Sequence, residues 1–400
     1  MTPRGAVMLT TALMAVGLVM VASTTLSPHG ESTAGFLRTP FGRQCAFVTL
    51  GLITLALTVW LARPVLSSAS WSTKVAWFFF VVVTGALVAM LIPGVTEAQR
   101  GSHRWLSLTV AGFLLGVQPS EFAKPAMVGL LATWLGRRDA DPRSLTRGFL
   151  PATMIIGLTV ALVGKEDFGT CALLAAVGGV MLLTAGCRWR YLFLMGVIGG
   201  LGLAALIWAE PYRLKRITAF QDIWADARGG GYQPLQSLTT IASGGWFGTG
   251  LGAGVQKYGY LPESHTDFIF AVICEEMGVF GGLLVIGLYA SFVFLGWRIA
   301  LAAATRIERL LAIGLTVTFG LQAVMNIAVV TVMTPTTGIS LPLVSAGGSG
   351  IVVFCMATGV LSAIALRARL PGLVEPMVDF RPPIGDGVEN PGAGAFDSRF

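Results

Sequence analysis

"FGTCALLAAVGGVMLLTAGC", residues 168–187, carries no charged side chain over its whole length, and its reading decides the fold class. About 20 apolar residues in a helix cross the roughly 30 Å hydrocarbon layer of a bilayer. Gly5–Leu26 and Tyr191–Ala209 read the same way. Of all 400 residues, 54% are hydrophobic and only 12% charged, about half the charge of a soluble domain. The composition therefore indicates an all-α integral membrane protein, since a helix satisfies its own backbone where lipid offers no partner. A water-soluble enzyme or binding module is excluded.

Outward from that stretch, ten transmembrane helices are expected, at about 5–26, 43–62, 75–94, 119–136, 149–164, 168–187, 191–209, 266–297, 310–333 and 345–366. The first follows a single arginine, Arg4, and is expected to stay as an anchor rather than leave as a signal peptide. Trp105–Val117 is too short to span and is placed at the outer interface, with Pro119 at the favoured first position of span four. Residues 1–370 form one polytopic domain. Its long extracytoplasmic loop, about 210–265, lies between spans seven and eight. Trp224, Tyr232, Trp246, Phe247 and a run of glycines there argue for an ordered segment lying on the membrane rather than a solvated linker. Residues 371–400, rich in Pro, Gly and acid, read as a flexible cytoplasmic tail.

The net charge of +7 is explained by where the basic residues fall. With the N-terminus inside, sixteen of the 27 Lys and Arg flank cytoplasmic ends, so both termini are expected in the cytoplasm. Basic charge here orients the chain, and no nucleic-acid partner is expected. The five cysteines show no metal-ligand spacing and read as packing residues.

Spans four, eight and ten all begin at the outer face, and their starts carry the unusual residues. Glu121 and Lys124 are three apart on one helix face. Asp267 opens span eight. The approach to span ten, "TPTTGISLPLVSAGGSG" (334–350), is uncharged and rich in Pro, Gly and hydroxyls, which suggests a re-entrant segment. Together these describe a polar cavity opening outward. Each group also has a structural alternative: Ser264–Asp267 fits a capping box, and Glu121–Lys124 an ion pair, although charges inside a span are costly and usually functional. Glu275 and Glu276 are expected two to three turns deeper than Asp267, in structural pairing. Activated sugars outside the membrane arrive on lipid. A carboxylate at that rim can take a hydroxyl proton, and Lys124 with helix amides can hold a leaving pyrophosphate. That combination suits lipid-dependent glycosyl transfer.

From about residue 97 to 367 the chain resembles the SEDS family of peptidoglycan polymerases (FtsW, RodA, SpoVE). The matching stretches are "GSHRWL" (101–106), "QPSEFAK" (118–124), "DFGT" (167–170), "AEPYRLKRITAF" (209–220), "GYQPLQSL" (231–238), "GWFGTGLGAGVQKYGYLPESHTDFIFAVICEEMG" (245–278) and "PTTGISLPLVSAGGSG" (335–350). "EPYRLKR" and "YLPESHTDFIFA" are closer to the division-specific FtsW branch. The resemblance implies that Asp267 is the catalytic base. It would act on the 4-hydroxyl of the acceptor sugar, which attacks lipid II, inverts the anomeric carbon and expels undecaprenyl pyrophosphate. It further implies substrate contacts from Glu121, Lys124, Arg104, Trp105, Gln118, Ser120, His265, Lys257, Gln236 and Ser349. The expected partners are the growing lipid-linked glycan, a class B penicillin-binding protein and other divisome proteins, in the bacterial inner membrane with the site on the extracytoplasmic side. No cofactor is evident, and a divalent cation bridging pyrophosphate is left open. The chain departs from the family pattern at Lys165-Glu166, where Gln-Pro is usual, and at Ala346 and Gly350, where Tyr and Ser are usual. A flippase for the same lipid and a scaffold for division proteins are the competing readings. Charge clustered near one face favours the enzyme.

Overall fold

The computed structural model describes residues 3–25, 39–92, 106–110, 113–164, 167–208 and 211–368. The expected tail, 371–400, lies outside them. The ten expected spans are helices α1 (Pro3–Thr25), α2 (Pro40–Leu66), α3 (Ala69–Met90), α4 (Pro119–Gly136), α5 (Leu150–Gly164), α6 (Phe168–Thr184), α7 (Trp189–Trp208), α10 (Ile269–Leu301), α11 (Arg306–Val330) and α12 (Gly348–Arg367). Polar caps set several starts: Thr39 Oγ1 accepts the Gly42 amide of α2, Asp167 Oδ1 the Thr170 amide of α6, and Thr305 Oγ1 the Glu308 amide of α11. Seven helices are long and apolar enough to cross a membrane by themselves, and α6 is a shorter apolar helix. The chain is a multi-pass helical membrane protein.

The long loop is ordered, as expected, and contains α8 (Pro211–Gln221) and α9 (Tyr232–Gly244). The segment before α4 departs from the all-helical expectation. Leu106–Val110 (β1) and Phe113–Val117 (β2) pair antiparallel with Leu106 opposite Val117. Five residues cannot span, but two antiparallel strands pair their backbone groups with each other and need no helix to do so.

Helices approach closely through small residues, as membrane helices do. A side chain at Gly17 of α1 would collide with the Val344 carbonyl, and α2 meets α12 through Gly51 against Cys355 and Gly359 against Thr58. The cysteines are free, all but Cys45 buried, in keeping with packing roles. Burial pushes the Cys187 thiol, in the turn after α6, up to about 11, against the opposing pull of Arg306.

The continuous reading of span eight is corrected by the structure. Gly278 has φ 69 and ψ −169, so α10 is two helices meeting at an elbow. A Cβ at Gly282 would lie 3.0 Å from Cys274 Sγ and 3.5 Å from Phe270 Cζ. In a straight helix residues 270 and 282 stand about 18 Å apart, so residues 269–277 fold back beside the long arm. The arm 279–301 alone, about 35 Å at 1.5 Å per residue, suffices to cross. Glu275 and Glu276 therefore do not lie deeper than Asp267. Glu276 accepts the Ser23 hydroxyl near the end of α1, whereas the Asp267 carbonyl meets Asn326, a full turn inside the end of α11.

Gly278→Ala should lower stability by about 1–3 kcal/mol, the cost of a left-handed non-glycine residue. A collision with the Trp246 carbonyl adds to that cost. Gly287→Ala, on the long arm with nothing within 4 Å of its Cβ, should be neutral in the same thermal-unfolding measurement.

Candidate active site

The expected re-entrant segment is present: residues 331–347, between α11 and α12, form no helix, and its inner part, Ile339 and residues 341–345, is buried. Backbone at that depth needs partners, and side chains of the surrounding helices supply them. Asn326 Nδ2 donates to the Ile339 carbonyl at 2.7 Å and Gln322 Nε2 to Ser340 at 3.0 Å. Gln44 Nε2 reaches the Ser345 carbonyl at 3.4 Å, and Arg216 Nη1 the Thr336 carbonyl at 3.0 Å.

The same segment, together with Asn326 of α11, holds the backbone around Asp267. Asn326 Nδ2 donates to the Asp267 carbonyl at 2.8 Å, Ser345 Oγ to Thr266 at 2.6 Å, and the Ala346 amide to His265 at 2.9 Å. Three consecutive carbonyls are thus fixed while the side chains of His265 and Asp267 stay partly exposed. The capping-box alternative is not realised. The helix starts at Ile269 with Phe268 as N-cap and no side-chain cap, so Ser264 lies too early for that role.

Glu121 and Lys124 form, at 2.7 Å and one turn into α4, the ion pair that the sequence offered as their structural alternative. Lys124 Nζ also donates to Gln322 Oε1 at 2.6 Å and lies 5.5 Å from the centre of the Phe354 ring. The pair does not line an open cavity as expected. Lys124 is 1% exposed and Glu121 6%, so substrate would reach the ammonium only after local rearrangement. Glu121 Oε2 is buried without a partner, 3.4 Å from where a Cβ on Gly350 would stand. The departure at Gly350 removes a hydroxyl from beside that oxygen. Gln322 and Asn326, four apart on one face of α11, join Lys124 to the Asp267 backbone.

Around this centre the Gln118 amide donates to Ser349 Oγ at 3.0 Å, and its side-chain Nε2 to Ser120 Oγ at 3.0 Å and Asp167 Oδ2 at 3.4 Å. Gln236 lies partly buried on α9, whose Ser237 hydroxyl donates to the Val330 carbonyl. Arg104 and Trp105 lie outside the described residues, as do the Lys165 and Glu166 departures.

Lys257 belongs to a different cluster. Its ammonium donates to Glu276 Oε1 at 2.6 Å, Ser23 Oγ at 2.8 Å and the Gly252 carbonyl at 2.9 Å. Glu275 Oε1 accepts the amides of Val255 and Gln256 at 2.9 and 3.2 Å. The glutamates are structural, as expected, but they clasp the loop before the site rather than pair helices within the membrane. Gln322, Asn326 and Gln44 were not singled out from the sequence. The signal was available, since side-chain amides inside apolar helices usually face a partner or a cavity.

Comparison with known proteins identifies the family. The family model described as "Cell cycle protein", FtsW/RodA/SpoVE, matches residues 4–370. The probable peptidoglycan glycosyltransferase FtsW of Nitrosococcus halophilus is 40% identical over 364 residues, 90% of this chain and 91% of that protein. Stage V sporulation protein E of Bacillus subtilis is 36% identical, covering 91% of this chain and 96% of its own. A chain from a peptidoglycan synthase complex that coordinates polymerization and crosslinking superposes with a TM-score of 0.73 at 25% identity, over 92% of this chain and 98% of that one. The rod shape determining protein RodA of Thermus thermophilus shares the fold, with a TM-score of 0.63 at 24% identity over 92% and 97% of the two chains. With the match running through every described helix, this chain is a member of the FtsW/RodA/SpoVE family of cell cycle proteins.

Proposed function

We propose that this chain is a peptidoglycan glycosyltransferase that extends glycan strands from lipid II during septal wall synthesis. Asp267 Oδ is the general base: it takes the proton of the acceptor 4-hydroxyl as that oxygen attacks the anomeric carbon. The bond to the pyrophosphate oxygen breaks with inversion, and undecaprenyl pyrophosphate leaves. Lys124 is the cation that meets the leaving group once its pairing with Glu121 and Gln322 loosens. The observation that carries the reading is the shared helix face of α11. Asn326 fixes the backbone of Asp267 there, and Gln322 holds the Lys124 ammonium one turn away.

The names of the relatives support the chemistry, and the FtsW names support the septal role. The synthase complex among the solved structures supports a crosslinking partner, and the proposal takes that partner to be a class B penicillin-binding protein, with other divisome proteins beside it. The surplus of Arg and Lys at one set of helix ends supports cytoplasmic termini and an extracytoplasmic site in the bacterial inner membrane. No resident cofactor enters the proposal. No group of three or more His, Cys, Asp or Glu converges among the described residues, so a divalent ion, where used, would travel with the substrate pyrophosphate. The remaining substrate contacts proposed are Gln118, Ser120, His265, Gln236 and Ser349, with Arg104 and Trp105. Lys257, tied to Glu276, is reassigned to positioning the loop.

Asp267→Asn, purified with its partner and given lipid II in detergent, should form no polymer while unfolding at the wild-type temperature. Polymer at the wild-type rate would reject the base, and polymerisation without a bilayer separates the enzyme from a flippase. Lys124→Met should lose activity and about 3–5 kcal/mol of stability, because it strands a buried carboxylate. Adding Glu121→Gln should restore much of the stability but none of the activity. Gly350→Ser should raise the unfolding midpoint, worth about 1 kcal/mol, by giving Glu121 Oε2 a donor.

A further inference from the structure

The helix ends away from Asp267 hold a second polar assembly. Helices α2 and α12 run side by side in the same direction, Gly51 against Cys355 near their middles and Gly359 against Thr58 further along. Past that seam their last turns border a cavity of about 420 Å³ lined by Trp60, Leu61, Arg63, Pro64 and Arg367.

Its chemistry is specific. Arg367 Nε donates to Glu308 Oε1 at 2.8 Å, in an ion pair that is almost fully buried. That bond fixes the plane of the guanidinium but uses one of its five N–H groups. Among the described residues, the terminal nitrogens of Arg367 meet no protein acceptor and Arg63 makes no ion pair. Pro64 has no N–H, so the Trp60 carbonyl lacks its i+4 helical donor. Trp60 is 70% exposed beside the exposed Leu57 and Leu61, the placement of an aromatic residue at a membrane interface.

Arginines at helix C-termini complement the helix dipole, which accounts for one on each helix. It does not account for both arginines lining one cavity beside a proline-interrupted helical turn and a lipid-facing aromatic wall. We propose that this cavity binds the headgroup of an anionic phospholipid that carries a hydroxyl, with phosphatidylglycerol as its chemical type. The phosphate oxygens accept from Arg63 and Arg367, a bidentate geometry guanidinium groups favour. The glycerol hydroxyl donates to the Trp60 carbonyl, and the acyl chains run along Trp60, Leu61 and Leu57. Basic pockets between membrane helices take anionic headgroups in this way.

Native mass spectrometry of the full chain in neutral detergent, titrated with phosphatidylglycerol or phosphatidylcholine, tests the site. Retention of phosphatidylglycerol at about tenfold lower concentration is expected, and Arg63→Gln should weaken it about fivefold, the share of one near-surface cation. The variant's thermal midpoint in phosphatidylcholine should equal that of the wild type. Unchanged phosphatidylglycerol binding by Arg63→Gln overturns the assignment. So does millimolar inorganic phosphate that competes away the lipid's advantage, which would make this a free-phosphate site. A midpoint lowered by Arg63→Gln in phosphatidylcholine alone overturns it too, because the arginine would then be answered by the chain's own acidic residues, such as Glu375 or Asp379.

Discussion

Irregular backbone inside a membrane must find hydrogen-bond partners, and this fold is organised around meeting that demand for residues 331–347. The carbonyls of Ile339, Ser340 and Ser345 are met by Asn326, Gln322 and Gln44, from two helices. Each of these amides replaces the water the segment gives up. Two of them reach further, since Asn326 also holds the Asp267 carbonyl and Gln322 also accepts from Lys124. The device that makes the segment tolerable at depth is therefore the device that assembles the site.

The geometry of the long loop follows the same logic at its own end. Loop backbone at 249–256 is paired to the carbonyls and carboxylates of Glu275 and Glu276 rather than to solvent. Lys257 compensates the Glu276 charge. Buried pairs of this kind contribute little net stability but penalise every other arrangement, because removing one partner strands the other. Such pairs fix the path by which the chain enters the half-helix of residues 269–277.

Much of the architecture was legible in the sequence because hydropathy reports burial in lipid directly. The ten helices, the ordered loop, the start of α4 at Pro119 and the Glu121–Lys124 pair all followed from length, punctuation and spacing. The hairpin at 106–117 was not legible as such, since short apolar runs of five do not distinguish strand from helix. The elbow at Gly278 was hidden for a related reason: the run is apolar on either side of Glu275 and Glu276, and a glycine in such a run leaves hydropathy unchanged. The excess length was the available clue, as 266–297 is longer than one crossing needs. The polar amides of α11 are a quieter signal than a charge inside a span. Gln322 and Asn326 carry none, yet more of the site's geometry hangs on them than on any ion pair.

The elbow also sets an electrical polarity. Folding back leaves residues 269–277 as a short dipole whose amino end abuts Asp267 and whose carboxyl end carries Glu276, bound to Lys257. Asp267 at the amino end suits the dipole, whereas Glu275 and Glu276 at the carboxyl end oppose it, and Lys257 offsets one of the two. Over about 13 Å of helix, the ammonium of Lys257 thus lets the short helix carry acid at the end where its own carbonyls emerge.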